Sequence, residues 1–368
     1  GNFQVVLGTT SHGGATVRLS SSDPSVMQVS PNASTAGSDF IDVFVVNGQN
    51  RANYYVQGVE GQTGVVPLMV SAPGFTSNSA DITVVQPGVD LLGLPTTLTT
   101  FSPDDIIQAR IGVPNGNGIS PVQAIRIGGT AVTATLSSDD VGVGDLVTLP
   151  DSASPVTVQI APGASSSPTS VGAGGVAFMP TGVGVASVST TIPGFVASAN
   201  ATRSVTVSAP NISVTGTTVG AGLQYGNFQA VLGATDHGGS TVRIASSDPA
   251  VMRISPDAST EGTDFIDVFV PNGQNRANYY VHGMEGQGGT ATLQVSAPGF
   301  NSNDTAVITV VQPGVDLLGV NQTSLTTFSP DDPFQVRIGL PNASGFVSPQ
   351  QAVRIGGTTL TATVTTTD

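Results

Sequence analysis

Residues 1–31 read GNFQVVLGTTSHGGATVRLSSSDPSVMQVSP, and residues 226–256 read GNFQAVLGATDHGGSTVRIASSDPAVMRISP. The two stretches match almost residue for residue, and the match continues until Asp368 corresponds to Asp140. Self-similarity at a fixed, long period is the sequence signature of a repeat architecture. The sequence therefore predicts one long structural unit that begins a second time near residue 226.

A shorter repeat lies inside the long one. SAPGF ends at Phe75 and again at Phe300, and the related TIPGF ends at Phe195. Each motif is followed by a β-branched run that ends at a proline. We therefore predict four domains: a sandwich at 1–86 that lacks its first strand, a larger sandwich at 87–209, a copy of the first at 210–312, and a partial copy of 87–140 at 313–368.

Short runs of apolar and β-branched residues alternate with period two and are separated by Gly, Pro, Asn and Asp, which is typical of strands and turns. The Asn-Gly pairs at 47–48 and 272–273 are predicted as type I′ hairpin turns. The strands expected in the first domain are Thr16–Leu19, Val26–Val29, Phe40–Val45, Asn53–Gln57, Val65–Val70 and Ile82–Val85.

Comparing the two copies indicates which side of a strand faces the core. Val66, Leu68 and Val70 become other apolar residues in the second copy, whereas the intervening positions become Thr290, Thr292 and Gln294. One face is therefore packed and the other is solvated. Pro67 stands at a position where a central strand needs its N–H, so we expect a bulge or a gap in the hydrogen bonding there.

About seven short strands per hundred residues, with frequent turn signals, is the β-sandwich pattern. The stretches at 16–31 (TVRLSSSDPSVMQVSP), 289–300 (GTATLQVSAPGF) and 308–313 (ITVVQP) resemble the bacterial immunoglobulin-like (Big-type) domains of giant cell-surface and adhesin-type tandem-repeat proteins. The fold class is predicted as all-β. The resemblance implies tandem immunoglobulin-like antiparallel β-sandwiches arranged as an elongated rod, outside the cell or on its surface.

The composition excludes several classes of function. Asp and Glu number 24 against 10 basic residues, all of them Arg, so the chain has no basic footprint for nucleic acid. There is no Lys and no Cys, which excludes a Walker A loop, a Schiff-base lysine and a thiolate nucleophile. The sequence contains no run of about 18 apolar residues, so we predict no membrane insertion. We predict that the chain is not an enzyme and holds no cofactor.

Calcium is the single metal that the sequence suggests, because paired carboxylates with backbone carbonyls can begin a Ca²⁺ site. The alternative is that these aspartates form turns and add soluble charge. The candidate ligands are Asp104, Asp105, Asp139, Asp140, Asp331 and Asp332.

The hexapeptide FIDVFV, at 40–45 and 265–270, places a carboxylate between two phenylalanines on one side of a strand. One interpretation is a subunit or domain contact, and the other is a charge that prevents sheet-to-sheet aggregation. The interface candidates are Phe40, Asp42, Phe44, Phe265, Asp267 and Phe269.

These features favour a structural extracellular protein that forms a stalk, fibre or matrix component of a bacterial surface. Incomplete sandwiches at the ends would expose strand edges, so self-association into fibres or a surface layer, head to tail or by strand exchange, is expected. Two alternatives stay open. The chain is an adhesin module that binds glycans or a host surface, or it is a spacer in a secreted enzyme.

Overall fold

The computed structural model describes residues 2–149, 153–319, 324 and 326–367. They form strands and loops, and the one helical segment among them is a 3-10 turn at Val171–Ala173. None of the described residues lies in a helix long and apolar enough to span a membrane. The chain divides into two compact units, Gly1–Ser208 and Ala209–Asp368. The predicted all-β class is confirmed.

The first sandwich of unit one contains β1 (Asn2–Val6), β2 (Ala15–Ser21), β3 (Met27–Ser30), β4 (Phe40–Val45), β5 (Arg51–Gly58), β6 (Gly64–Ser71) and β7 (Asn78–Val84). One sheet has the order β1-β5-β3, and the other has the order β4-β2-β6-β7. Inward side chains of both sheets, such as Leu19, Val29 and Leu68, share one core. The strands predicted from the sequence are all present.

The second sandwich of unit one contains β8 (Gly88–Leu92), β9 (Thr97–Thr99), β10 (Asp105–Asn115), β11 (Gly118–Val122), β12 (Val132–Ser138), β13 (Gly144–Val147), β14 (Val156–Ile160), β15 (Val176–Pro180), β16 (Gly184–Thr191), β17 (Val196–Ala197) and β18 (Thr202–Ser208). Its sheets have the orders β13-β15-β10-β8-β17, with β11 beside β10, and β14-β12-β16-β18-β9. Leu91, Ile107 and Leu136 lie in its core.

Unit two begins with β19 (Ile212–Ser213), β20 (Thr217–Gly220), β21 (Leu223–Leu232), β22 (Ser240–Ser246), β23 (Met252–Ser255), β24 (Phe265–Val270), β25 (Arg276–Gly283), β26 (Gly289–Ser296) and β27 (Val307–Val311). The sheets β19-β21-β25-β23 and β20-β27-β26-β22-β24 enclose a core that includes Leu232, Ile244 and Leu293. Residues 211–225, which precede the repeated stretch at 226–256, supply β19, β20 and the start of β21.

The rest of unit two is a three-stranded sheet, β28 (Gly314–Leu318), β29 (Gln335–Pro341) and β30 (Val347–Gln350), followed by β31 (Ala352–Val353) on the edge of β21. Residues 360–366 match β12 in sequence but form no strand. In unit one, β12 pairs with β14 and β16.

Strand pairing is antiparallel with three exceptions among the described residues, namely β8 with β17, β9 with β18, and β20 with β27. The sequence predicts antiparallel β-sandwiches. Side chains alternate with the same period in both kinds of pairing, so the hydrophobic pattern does not reveal which kind a short edge strand adopts.

Pro67 lies beside a gap in hydrogen bonding, as predicted. Pairing of β2 with β6 ends at Ser21 and Leu68, and the Pro67 carbonyl accepts a hydrogen bond from Ser22 N–H at 3.0 Å. The N–H and C=O of one residue in an antiparallel strand point to the same neighbouring strand. The nitrogen of Pro67, which has no hydrogen to donate, therefore faces the β2 side just beyond the residues that pair with β2.

The prediction that Asn47-Gly48 forms a type I′ hairpin is wrong. The turn joins β4 to β5, which lie in opposite sheets, and Gly48 has positive φ whereas Asn47 does not. Asn47 Oδ1 accepts hydrogen bonds from His12 N–H at 3.0 Å and Gly13 N–H at 2.8 Å. The asparagine therefore holds a neighbouring loop, and Asn272 does the same in the second copy with Gly238 N–H at 2.8 Å.

Candidate functional site: two clamps between sandwiches

An arginine–glutamate pair connects the two sandwiches of unit one. Glu60 lies in the turn after β5, and Arg126 lies in the loop between β11 and β12. Arg126 Nε and Nη2 donate to Glu60 Oε2 at 3.0 and 2.6 Å, and Nη1 donates to Gln28 Oε1 at 3.4 Å. We call this arrangement the first clamp. A guanidinium fork on a carboxylate fixes direction as well as distance.

Unit two contains the same arrangement, which we call the second clamp. Arg354 Nη2 and Nε donate to Glu285 Oε2 at 2.6 and 2.9 Å, and Thr358 N–H donates to Glu285 Oε1 at 3.2 Å. Arg354 is only 8% exposed. The chain thus builds one kind of joint twice, each time between a loop of one sandwich and the RIGGT loop that follows.

The glycines of RIGGT leave space for the carboxylate. A Cβ on Gly357 would lie 2.6 Å from Glu285 Oε1, and a Cβ on Gly129 would meet the corresponding oxygen of Glu60. Real Cβ atoms do not approach oxygen so closely, so any side chain there would push the carboxylate away from its arginine. The RIGGT motif therefore supplies both the arginine and the free space that the glutamate carboxylate occupies.

Backbone pairing reinforces the second clamp. Leu223 and Gln224 of β21 pair with Val353 and Ala352 of β31. Arg354 N–H donates to Gly222 C=O at 3.0 Å, and Ile355 N–H donates to Gln224 Oε1 at 3.1 Å. The loop is held on both sides of the arginine, so the guanidinium arrives in a set orientation.

Both clamp carboxylates have a pKa below the usual value of a glutamate, so they stay ionised at lower pH than an ordinary glutamate does. Partial burial raises the pKa of Glu60, but hydrogen bonds from Arg126 and from backbone amides outweigh it and lower the pKa overall. The pKa of Glu285 is lowered in the same way, with Arg354 as the principal donor. The clamps therefore keep their charges at neutral pH and lose them only in acid.

The two joints differ in one residue on the strand that precedes each clamp glutamate. In the first, Gln57 Oε1 accepts from Gly37 N–H at 2.8 Å and Nε2 donates to Thr35 C=O at 2.9 Å. In the second, His282 replaces the glutamine, is fully buried, and has no hydrogen-bond partner on either ring nitrogen among the described residues. Burial and then the charge of Arg354 lower the pKa of His282, the charge of Glu285 opposes them, and the pKa is about 4 as a result.

The predicted interface residues lie elsewhere, on the outward side of edge strands. Phe40, Asp42 and Phe44 all point outward from β4, and Phe44 is 63% exposed. The second copy repeats this on β24, where Phe265, Asp267 and Phe269 are exposed and Phe269 reaches 65%. Neither set contributes to the clamp of its own unit. A contact with another molecule stays a prediction for these six residues.

The central aspartate of each hexapeptide is paired. Arg18 lies opposite Asp42 in the β2–β4 register and binds it through Nε and Nη2 at 2.9 and 2.7 Å, with its Cζ 4.4 Å from the Phe40 ring centroid. The hydrogen bond from Arg18 lowers the pKa of Asp42. In the second copy Arg243 makes the same contacts with Asp267 and Phe265.

An open groove runs beside each of these ion pairs, and its six lining residues are identical in the two copies. The first groove is lined by Thr16, Arg18, Asp42, Ser71, Ala72 and Pro73. The second is lined by Thr241, Arg243, Asp267, Ser296, Ala297 and Pro298. Nearby outward positions differ, since Met69 corresponds to Gln294.

The predicted calcium ligands are not brought together. Asp140 Oδ1 accepts from Gly142 N–H at 2.9 Å and Asp139 Oδ1 from Ser187 N–H at 2.6 Å, so both serve the backbone. Asp105 begins β10, where burial and then Asp104 raise its pKa. Asp331 and Asp332 are exposed. Across the described part of the chain, no three His, Cys, Asp or Glu side chains converge as a metal site. Calcium binding stays an untested prediction.

Sequence reasoning missed both clamps and a second family of ion pairs. Asp90, only 1% exposed, binds Arg110 across β8 and β10 at 3.0 and 2.7 Å, and Asp316 binds Arg337 in the equivalent position. A signal was available, because GVDLL and RIGGT keep their charged residues in both copies. A charge inside an apolar strand, retained in two copies, indicates a paired and partly buried group.

No family model matches the chain. No curated protein matches it. Its structure is similar to several solved structures. The S-layer protein rSbsC has a TM-score of 0.32 and 16% identity over 91% of this chain, which spans 39% of that structure.

Two further similar structures are an adhesin and a receptor-binding fragment. The Yersinia pseudotuberculosis adhesin InvE has a TM-score of 0.22 and 14% identity over 61% of this chain and 58% of its own. A 282-residue fragment of intimin, in complex with an intimin-binding domain, has a TM-score of 0.22 and 16% identity over 63% and 65%. These TM-scores are low, so we assign the fold from this chain's own sheets and cores.

Proposed function

We propose that the chain is a structural repeat protein of a bacterial surface, whose sandwiches are joined in series to build a stalk, fibre or surface layer. The observation that carries the proposal is the clamp made twice, by Glu60 with Arg126 and by Glu285 with Arg354. A joint that recurs with the same residues serves a load or a spacing that recurs along the molecule. The extracellular location comes from the sequence resemblance.

The distribution of polar groups supports a non-catalytic role. The two matching grooves are open and lie on outward sheet faces, and no three His, Cys, Asp or Glu side chains converge as a metal site among the described residues. Most of the arginines that the structure describes are paired with a carboxylate, such as Arg18 with Asp42 and Arg110 with Asp90. A catalytic acid or base needs a free, poised group in a cleft.

Immunogold electron microscopy of intact source cells tests the surface role. An antibody against residues 210–312 should label continuous surface structures, and cell washing should not release the label. Label confined to the cell interior, or to the culture fluid, would contradict the proposal. Light scattering on the purified chain tests self-association separately, because a surface layer or fibre requires concentration-dependent growth in mass.

Glycan binding is the second candidate, and the identical grooves favour it. Each groove combines an Arg–Asp pair, which is neutral overall, with hydroxyls of Thr16 and Ser71 and an adjacent exposed Phe44. Neutral polar groups beside an aromatic ring suit the hydroxyls and apolar faces of a sugar.

A glycan array probed with the whole chain tests this second candidate. Binding should be lost in the double variant D42N/D267N, because both grooves lose a charged acceptor. It should persist in M69Q, which introduces the residue that the second copy already carries at Gln294. Absence of binding to every glycan in the wild-type chain would remove this candidate and leave the structural role.

A further inference from the structure

His282 occupies an unusual position, because it is a fully buried titratable side chain beside the second clamp. It lies on the strand β25, with Gln224 of β21 and Arg253 of β23 as its register partners on either side. Loop 258–262 and the loop that carries Arg354 cover this face: Gln224 Nε2 donates to Ala258 C=O, and Ile355 N–H donates to Gln224 Oε1. The loop that carries Arg354 therefore forms part of the cover over the imidazole, together with loop 258–262 of the same sandwich.

The surroundings of the ring suit a neutral imidazole and disfavour an imidazolium. Neither ring nitrogen has a partner among the described residues. The charged groups that act on its pKa are Arg354 from the following loop and Glu285 from the turn after its own strand. Arg253 from β23 adds a second cation, and Asp264 pairs with that arginine at 3.6 Å. Glu261 completes the set of titratable groups on the covering loop.

We propose that the second clamp is an acid-sensitive joint, in which protonation of His282 releases the RIGGT loop from the preceding sandwich while both sheets stay folded. Proton uptake would place a third cation beside Arg354 and Arg253 without an acceptor for its N–H groups. In the open joint water solvates the ring, so the proton is accepted there.

The direction and size of the effect follow from linkage. The imidazole has a pKa of about 4 in the closed joint and an ordinary value of 6.5 when solvated. Opening is therefore unaffected by pH above 6.5 and becomes easier as the pH falls from 6.5 towards 4. Between pH 7 and pH 5 the opening constant should rise roughly twentyfold. Partial burial raises the pKa of Glu285, but hydrogen bonds from Arg354 and from backbone amides outweigh it and lower this pKa overall, so the carboxylate stays ionised while the histidine takes up its proton.

The first clamp has no such response. Gln57 carries no titratable group and is hydrogen-bonded at both ends of its amide to loop 35–37. Gln28, its register partner, replaces the second cation Arg253. One chain therefore contains an acid-sensitive joint and a matched joint that should resist mild acid.

Hydrogen–deuterium exchange of the whole chain tests the inference. The reporters are the N–H groups of Arg354 and Ile355, which donate across the joint. After correction for intrinsic rates, their protection should fall roughly twentyfold between pH 7 and pH 5. The core amide of Val281 should keep its protection. In H282Q, which restores the residue of the first joint, the fall should disappear.

Three results would overturn the inference. They are protection at Arg354 and Ile355 that does not depend on pH, an unchanged fall in H282Q, or an equal fall at Val281, which would mean that the whole sandwich unfolds. R354Q serves as the reference for an open joint and should exchange quickly at both pH values.

Discussion

At the residue scale, the chain uses arginine to connect neighbouring strands. Four arginines stand directly opposite an aspartate in the strand register, and each binds it through Nε and Nη2: Arg18, Arg110, Arg243 and Arg337. The planar guanidinium matches a carboxylate two atoms to two, which a lysine ammonium cannot do. A chain whose ten basic residues are all arginine is consistent with this use.

Asp316 provides a pH prediction for this kind of pair. Hydrogen bonds from Arg337 and from Val347 N–H lower the pKa of Asp316 to about 2, from an ordinary value of 3.8. Because the folded pKa is the lower one, the stabilisation is complete above pH 3.8 and is lost as the pH falls towards 2. Carbon-13 NMR titration should place the Asp316 midpoint near 2, and R337Q should move it upward. A wild-type midpoint near 3.8 would contradict the assignment.

Thr292 and Leu293 test the hydrogen-bonding gap seen at Pro67. Thr292, the counterpart of Pro67, donates its N–H only to Ser247 Oγ at 2.8 Å, whereas Leu293 N–H donates to Ala306 C=O at 2.9 Å and its side chain is fully buried. T292P should lower the free energy of unfolding by about 1 kcal/mol. L293P should lower it by ~3 kcal/mol or more. Urea denaturation followed by fluorescence of the tyrosines measures both, and equal losses would show that no gap exists at Thr292.

At the element scale, the edge strands β4 and β24 carry the hexapeptide FIDVFV. Both have a partner on one side only in their sheets, β2 and β22 respectively. An aromatic and β-branched edge without a charge is a template for aggregation. Asp42 and Asp267, held outward by their arginines, interrupt that template whether or not the phenylalanines also bind a partner.

D42V distinguishes the two interpretations of this strand. If the charge prevents edge-to-edge pairing, the variant should aggregate at concentrations where the wild type stays monodisperse in light scattering. S20V is the control, because Ser20 lies on the central strand β2, opposite Phe40. If both variants remain monodisperse, the protective role of Asp42 is excluded. The interpretation of the strand as a contact with another subunit or domain is then favoured.

At the scale of each unit, each clamp joins a sandwich to the RIGGT loop of the segment that follows it. Double-mutant cycles should give a coupling of about 0.2–1 kcal/mol for Glu60 with Arg126, which is the range of exposed pairs. The coupling of Glu285 with Arg354 should be larger, because Arg354 is only 8% exposed against 19% for Arg126. Urea titrations of the single and double glutamine variants measure both. Equal couplings would show that burial does not strengthen the second clamp.

The local sequence pattern was enough to predict where the strands lie and which of their residues face the core. Val66, Leu68 and their counterparts Ala291 and Leu293 are buried as the alternation predicts. The domain boundaries proposed from the repeats stay a prediction. Such features are readable because alternation and turn chemistry act between residues close in sequence.

Only the tertiary structure decided which distant residues meet. Arg126 and Glu60 lie 66 positions apart, and no periodicity connects them. Residues 360–366 match the strand β12 in sequence yet form no strand, so the local pattern alone does not decide pairing. The Asn-Gly turns likewise join opposite sheets, because packing of the two sheets, and not the dipeptide, chose where the chain went after β4. Long-range pairing depends on which surfaces bury each other, and a single sequence does not state that.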